Sequence, residues 1–189
     1  MKRSIFLKTA LLSLSTSTSF SAFSQIKPKS RAKKGFKTEV QKTRYPEKIT
    51  LGNTPVDFKL LGDDTGDELS IFISSNNIKG FGPPLPFHNN FDEFFCVLDG
   101  DFVFQLGDEK IAFKKGETIY VPRKIKHCFN YIGDKSGTLL VAISPSKNIE
   151  LFFARMGEII NNSKGEPDTK ALQSLYHKFD SEIVGPPMQ

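Results

Sequence analysis

Glu93 is the residue whose surroundings ask most plainly for chemistry. Asp99-Gly100 is a favoured two-residue hairpin turn, and it predicts that Leu98 faces Asp101, Val97 faces Phe102, Phe95 faces Phe104 and Glu93 faces Leu106. Alternation along the strands puts the last three pairs on one face, so Glu93 is expected among Phe95, Val97, Phe102, Phe104 and Leu106. A lone carboxylate there costs several kcal/mol and either takes up a proton or finds a cation. The opposite face, Phe94, Cys96, Leu98 and Val103, is apolar too, which predicts cover by a second sheet, the terminal helices or another subunit. Other reactive side chains are few. The three histidines are His88, His127 and His177, and the two cysteines, Cys96 and Cys128, lie 32 positions apart, which makes neither a CxxC nor a zinc-finger spacing. An exported location would permit a disulfide between them; two small buried thiols are the alternative.

The elements that must position Glu93 are read from periodicity. A chain of 189 residues is one domain's worth by a prior of roughly 100–200 residues per domain. Hydrophobic residues at 38% and charged residues at 25% describe a folded chain rather than a disordered one. Eighteen Phe with no Trp predict an interior of rings without polar handles. From residue 56 to residue 144, short β-prone segments alternate with turn signals, the pattern of an all-β sandwich or barrel: 69–74, 91–98, 102–106, 111–113, 119–121, 127–132 and 138–143. After Pro145 the period becomes helical, over 149–160 and again over 169–179, with Pro167 and Asp168 as start signals for the second helix.

The amino terminus has a separate logic. Met1, Lys2 and Arg3 form a basic start, Ile5 to Leu14 is mostly apolar, and Ala22 and Ser24 supply a small-x-small site, so residues 1–24 are expected to be a signal peptide and the chain to be exported, periplasmic or secreted. Removing them leaves 23 basic and 21 acidic residues, which takes away the charge argument for nucleic acid. No apolar stretch reaches the roughly 18–20 residues of a membrane-spanning helix. Residues 25–54, rich in Lys and Arg, are expected to be a solvated arm.

Two motifs give these elements a family. Gly80, Pro86, His88, Glu93 and Gly100 follow at intervals of five, one, four and six residues, and Gly116, Pro122 and His127 at intervals of five and four. Together, in this order and separation, they resemble the two cupin motifs, over roughly residues 55–145. The stretch Gly82-Pro83-Pro84-Leu85 followed by Asp92-Glu93 is most similar to small single-domain bacterial cupins of the quercetin-dioxygenase-like group. The resemblance implies a jelly-roll β-barrel with a two-helix extension over 146–189, and a divalent metal (Fe, Mn or Zn) held by His88, Glu93 and His127. The family's first histidine is replaced by Pro86, which cannot coordinate, and the second motif departs at Lys124, where a turn glycine is expected, and at Asn130, one place short of the usual asparagine.

Two imidazoles and a carboxylate are the facial set that divalent iron uses in oxygen chemistry. His127 alternates with Phe129 and Tyr131, so the expected pocket is Phe95, Val97, Phe102, Phe104, Phe129 and Tyr131, with the metal at its floor. The expected function is a dioxygenase-like enzyme acting on a small apolar or aromatic molecule, with Glu93 as ligand or base and Tyr131 or Tyr120 as the nearest second proton-handling groups. The alternative is a ligand-binding module that lost its metal chemistry with Pro86; a sugar-nucleotide epimerase is weaker, for want of a His-Asp pair. His177 is expected at the surface. The second apolar face and the helical tail point towards a homodimer, with intramolecular cover as the competing account.

Overall fold

A computed structural model describes residues 31–188. The expected signal peptide, the start of the basic arm and residue 189 lie outside the described residues. No helix among the described residues is long and apolar enough to cross a membrane.

Eleven strands and three helices are described. In chain order they are β1 (Ile49–Leu51), β2 (Thr54–Leu60), α1 (Gly62–Thr65), β3 (Ser70–Asn77), β4 (Leu85–His88), β5 (Asp92–Asp99), β6 (Phe102–Leu106), β7 (Glu109–Phe113), β8 (Thr118–Val121), β9 (His127–Tyr131), β10 (Gly137–Ser144), α2 (Ile149–Asn162), α3 (Thr169–Lys178) and β11 (Ser181–Gly185). A six-stranded sheet has the order β1-β2-β3-β10-β5-β8, a three-stranded sheet the order β7-β6-β9, and β4 pairs with β11 alone. Alternation then does the sorting, because the inward positions of the two larger sheets are aromatic or branched. Phe95 of one sheet meets Phe104 of the other with ring centroids 5.2 Å apart and Phe129 at 6.0 Å. Phe58, Phe102, Phe104, Leu139 and Ile143 have no exposed surface. Hydrogen bonds do not join the three sheets into a closed ring, so the bonding pattern is that of open, facing antiparallel sheets.

The hairpin expected at Asp99-Gly100 does not form. Both edges of β5 are occupied, by β10 on one side and β8 on the other, so β6 has no edge to pair with and joins β9 and β7 instead. The turn is a corner that carries the chain from one sheet to the other. Gly100 sits there at φ 85°, where a Cβ would come within 2.7 Å of the Tyr131 ring and 3.1 Å of Gly137 Cα. The face assignment survives because parity is independent of partner: Glu93, Phe95 and Val97 still point inward towards Phe102 and Phe104, across the interior rather than along one sheet. Their outward neighbours Phe94 and Leu98 are each 38% exposed, so the cover expected on that face is not supplied by the described residues.

The helices close one end of the structure. Phe153 of α2 packs on Phe72 at 4.7 Å, while Phe152 turns to Tyr176 and Phe179 at 5.0 and 5.3 Å and so fixes α3. Asp168 caps α3 by accepting from the Lys170 and Ala171 amides, as the start signal required. The beginning of α2 is held by buried Glu150, which accepts from the Gly62 amide at 2.6 Å and the Ser70 hydroxyl at 2.5 Å. The exposed segment before β1 is tied down as well as solvated: Arg44 makes a two-pronged bond to Asp64 at 2.9 and 2.6 Å and lies over Phe36.

Glu150→Ala leaves the buried Gly62 amide without its acceptor and the Ser70 hydroxyl with Ser146 alone, and is expected to lower the unfolding free energy by about 1–3 kcal/mol. Urea denaturation measures it; a change below about 0.5 kcal/mol would mean that this network does not anchor α2.

Candidate metal centre

Three elements from different sheets bring the site together. His88 ends β4, whose alternation buries Pro86 and His88 and leaves Phe87 half-buried. Glu93 lies on β5 between Ile143 of β10 and Val121 of β8, so its backbone is held on both sides. His127 opens β9 opposite Leu106. The chain between the two histidines is pinned by the Lys124 amide, which donates to the His88 carbonyl at 2.7 Å. Lys124 has φ 69°, so the turn keeps the left-handed backbone expected of glycine although lysine occupies it. Asn130, buried, accepts from the Gly80 amide at 3.1 Å and ties the loop before β4 to β9.

His127 Nε2 lies 2.5 Å from Glu93 Oε2, and His88 Nε2 lies 3.5 Å from the same oxygen. One ligand atom from each residue falls within 4.8 Å of the others. The three residues His88, Glu93 and His127 are 7, 8 and 5% exposed. The outer ring nitrogens are engaged elsewhere: His127 Nδ1 lies 2.9 Å from the Ile125 carbonyl and His88 Nδ1 lies 2.7 Å from Ser181 Oγ. A carbonyl only accepts, so His127 carries its proton on Nδ1. In the neutral ring, Nε2 then presents a lone pair to a carboxylate oxygen. Two acceptors at 2.5 Å repel unless a proton lies between them; a metal ion would take the same two atoms only after they move apart.

The electrostatics describe the proton-filled form. Burial works to raise Glu93, but the charges and hydrogen bonds of His88 and His127 outweigh it and hold the carboxyl far below its usual range. Burial works to lower His127, yet the Glu93 charge and hydrogen bond and the Ile125 carbonyl raise it above its ordinary value. The donor set, two imidazole nitrogens and one carboxylate oxygen converging from three strands, fits a divalent ion of the Fe, Mn or Zn type.

Of the expected pocket residues, Phe95 reaches the site, with its ring 6.2 Å from that of His127. Phe102, Phe104, Phe129 and Tyr131 pack ring against ring below it, at 5.3 to 6.3 Å, and Val97 is buried beside them. Neither expected proton-handling tyrosine is positioned for that role. The Tyr131 hydroxyl accepts from the Lys135 amide at 3.3 Å, and Tyr120 is 59% exposed on the outer face. Tyr176 of α3 is 3% exposed, and burial followed by the Glu93 charge pushes its phenol above the ordinary range. Its sequence signal was only that of an apolar helix position. Phe91 stacks on His88 at 4.2 Å and also lines a surface cavity of about 260 Å³, with Leu151, Phe179, Lys147, Lys178 and Asp180. Cys96 and Cys128 are free, Cys128 buried and Cys96 half-buried, and His177 is exposed as expected.

The pair has a defined pH signature. Glu93, with its value depressed below 4.5, contributes stability that is present above about pH 4.5 and is lost as pH falls through the depressed value; His127, raised above 6.5, contributes stability that is present below about pH 6.5 and is lost as pH rises through the raised value. Chelator-treated protein is therefore expected to melt at a higher temperature near pH 5.5 than near pH 9, and His127→Gln to remove that alkaline loss. Scanning calorimetry tests this, and equal alkaline losses in both proteins would contradict it.

The comparisons with known proteins come to the same region. Residues 78–143, which contain all three side chains, match the Cupin domain family model. An RmlC-like cupin from Shewanella frigidimarina NCIMB 400 is 17% identical over 62% of this chain and 96% of its own, with a TM-score of 0.51. The Schizosaccharomyces pombe Cnp3 cupin domain is 15% identical over 49% of this chain and 64% of its own, with a TM-score of 0.44. Among sequences, an uncharacterized protein of Methanocaldococcus jannaschii is 38% identical over 47 residues, which spans 25% of this chain and 38% of that protein's length. The domain match and the shared β fold support assignment of this segment to the cupin superfamily.

Proposed function

We propose that the domain is a cupin jelly roll whose His88, Glu93 and His127 hold a divalent metal, and that it acts as a dioxygenase-like enzyme on a small apolar or aromatic molecule. The observation that carries the reading is the convergence of His88 Nε2 and His127 Nε2 on one Glu93 oxygen, at 3.5 and 2.5 Å, inside an apolar enclosure. A bound divalent iron would supply a Lewis acid with open positions for an ionisable substrate oxygen and for dioxygen.

The chain's own groups do the remaining work. Glu93 offsets the ion's charge, and the two imidazoles fix its place between the sheets. Pro86 is buried on the same face of β4 as His88 and has no atom that can coordinate, so a metal here would have three side-chain donors rather than the family's four. Phe91 and Phe95 exclude bulk water on two sides of the imidazoles. Tyr176 keeps a neutral phenol, held above its ordinary range by burial and then by the Glu93 charge. The cavity lined by Phe91 is the approach for a small apolar ligand, and the same Phe91 ring stacks on His88. We propose further that residues 1–24 export the chain to the periplasm or beyond. Pro86 favours a second reading, in which the domain binds a small ligand and performs no metal chemistry.

Elemental analysis of purified protein separates the two readings. About one equivalent of iron, manganese or zinc per chain is expected, falling to background in Glu93→Ala and His127→Ala. Metal-free wild type that takes up no added ion would contradict the enzyme reading and leave the binding module. Pro86→His is expected to tighten metal binding by roughly tenfold or more by adding a fourth donor; unchanged affinity would show that position 86 does not face the ion.

A further inference from the structure

The strand that completes β4 lies far from both motifs. β11 follows α3 directly, beyond the region matched by the Cupin domain model, and places Ser181 opposite His88. Ser181 is 1% exposed. Its Oγ lies 2.7 Å from His88 Nδ1 and 3.0 Å from the Phe179 carbonyl oxygen.

A hydroxyl has one proton and a carbonyl has none. Both contacts are hydrogen bonds only if Ser181 donates to Phe179 and accepts from His88 Nδ1–H. In the neutral ring that arrangement leaves His88 Nε2 as a lone pair, facing Glu93 Oε2 at 3.5 Å. The carboxylate alone favours the other tautomer, with the proton on Nε2 and donated to it, and a ring in that form cannot bind a metal through Nε2. The Phe179 carbonyl, by fixing the direction of the Ser181 proton, opposes the carboxylate. We infer that Ser181 is a positioning residue for His88, which makes the carboxy-terminal strand a working part of the site rather than an appendage. The role of the chosen tautomer in metal binding rests on the reading given under Proposed function; the tautomer itself does not.

With three histidines in the chain, the ring nitrogens can be followed one by one. Long-range proton–nitrogen NMR on chelator-treated protein at mildly alkaline pH is expected to find His88 protonated on Nδ1 in wild type and in Ser181→Thr, and on Nε2 in Ser181→Ala. Zinc titration by calorimetry is expected to give an affinity about 10–100-fold weaker in Ser181→Ala, with Ser181→Thr restoring most of it. An Nδ1-protonated His88 that persists in Ser181→Ala, with zinc bound as tightly as in wild type, overturns the inference. A tautomer change in a protein that takes no zinc in any form upholds the positioning role and counts instead against the metal reading. Should Ser181→Ala fail to fold, wild type and Ser181→Thr still decide: Nε2-protonated His88 in both contradicts the proposal.

Discussion

Everything in this molecule turns on a carboxylate placed where water cannot reach it. Glu93 is paired by its backbone on both sides and is 8% exposed, with its oxygen held by His127. A charge in that position is tolerated only if an opposite charge is held equally firmly beside it. His88 and His127 are held that way, each by a carbonyl-anchored or hydroxyl-anchored outer nitrogen. In the protein alone a proton shared with His127 satisfies the oxygen. A divalent ion would use the same donor atoms at a wider spacing, which makes protonation and metal binding competitors for one pair of atoms.

The aromatic interior serves this arrangement in two ways. Packed rings between the sheets fix the separation of β5 from β6 and β9, and with it the distance from Glu93 to His127. Rings at the edge keep the dielectric low around the imidazoles, since Phe91 stacks on one and Phe95 stands beside the other. A low dielectric strengthens the pairing and raises the penalty for leaving it incomplete. The helical end contributes as well, because Phe152 secures α3, and α3 leads into the strand that carries Ser181.

Much of this was legible in the chain, and the limits have physical causes. Parity needs only the sequence of one strand, so the inward face of Glu93, Phe95 and Val97 was readable without knowing any partner. Register needs to know which edges are free, and nothing local says that both edges of β5 are taken by strands more than twenty residues away. Asp99-Gly100 therefore signalled a reversal correctly and a hairpin wrongly. The bounds of α3 came within a residue, because a capping Asp and a helical apolar stripe are local signals. Lys124 and Asn130 depart from the motif in name while keeping its backbone or its contact. Ser181 had no signal at all, since a lone serine in a short strand acquires meaning only from what it is paired with. Tyr176 read as helix packing, and its ring does pack on Phe152.

The most direct test is a crystal structure of protein soaked with manganese, with data collected above and below the metal's absorption edge. The account predicts an anomalous peak bounded by His88 Nε2, His127 Nε2 and a Glu93 oxygen, each at about 2.0–2.3 Å, with the outer nitrogens still on Ser181 and the Ile125 carbonyl. A map without that peak, in which Glu93 and His127 remain hydrogen-bonded to each other at saturating manganese, would contradict it.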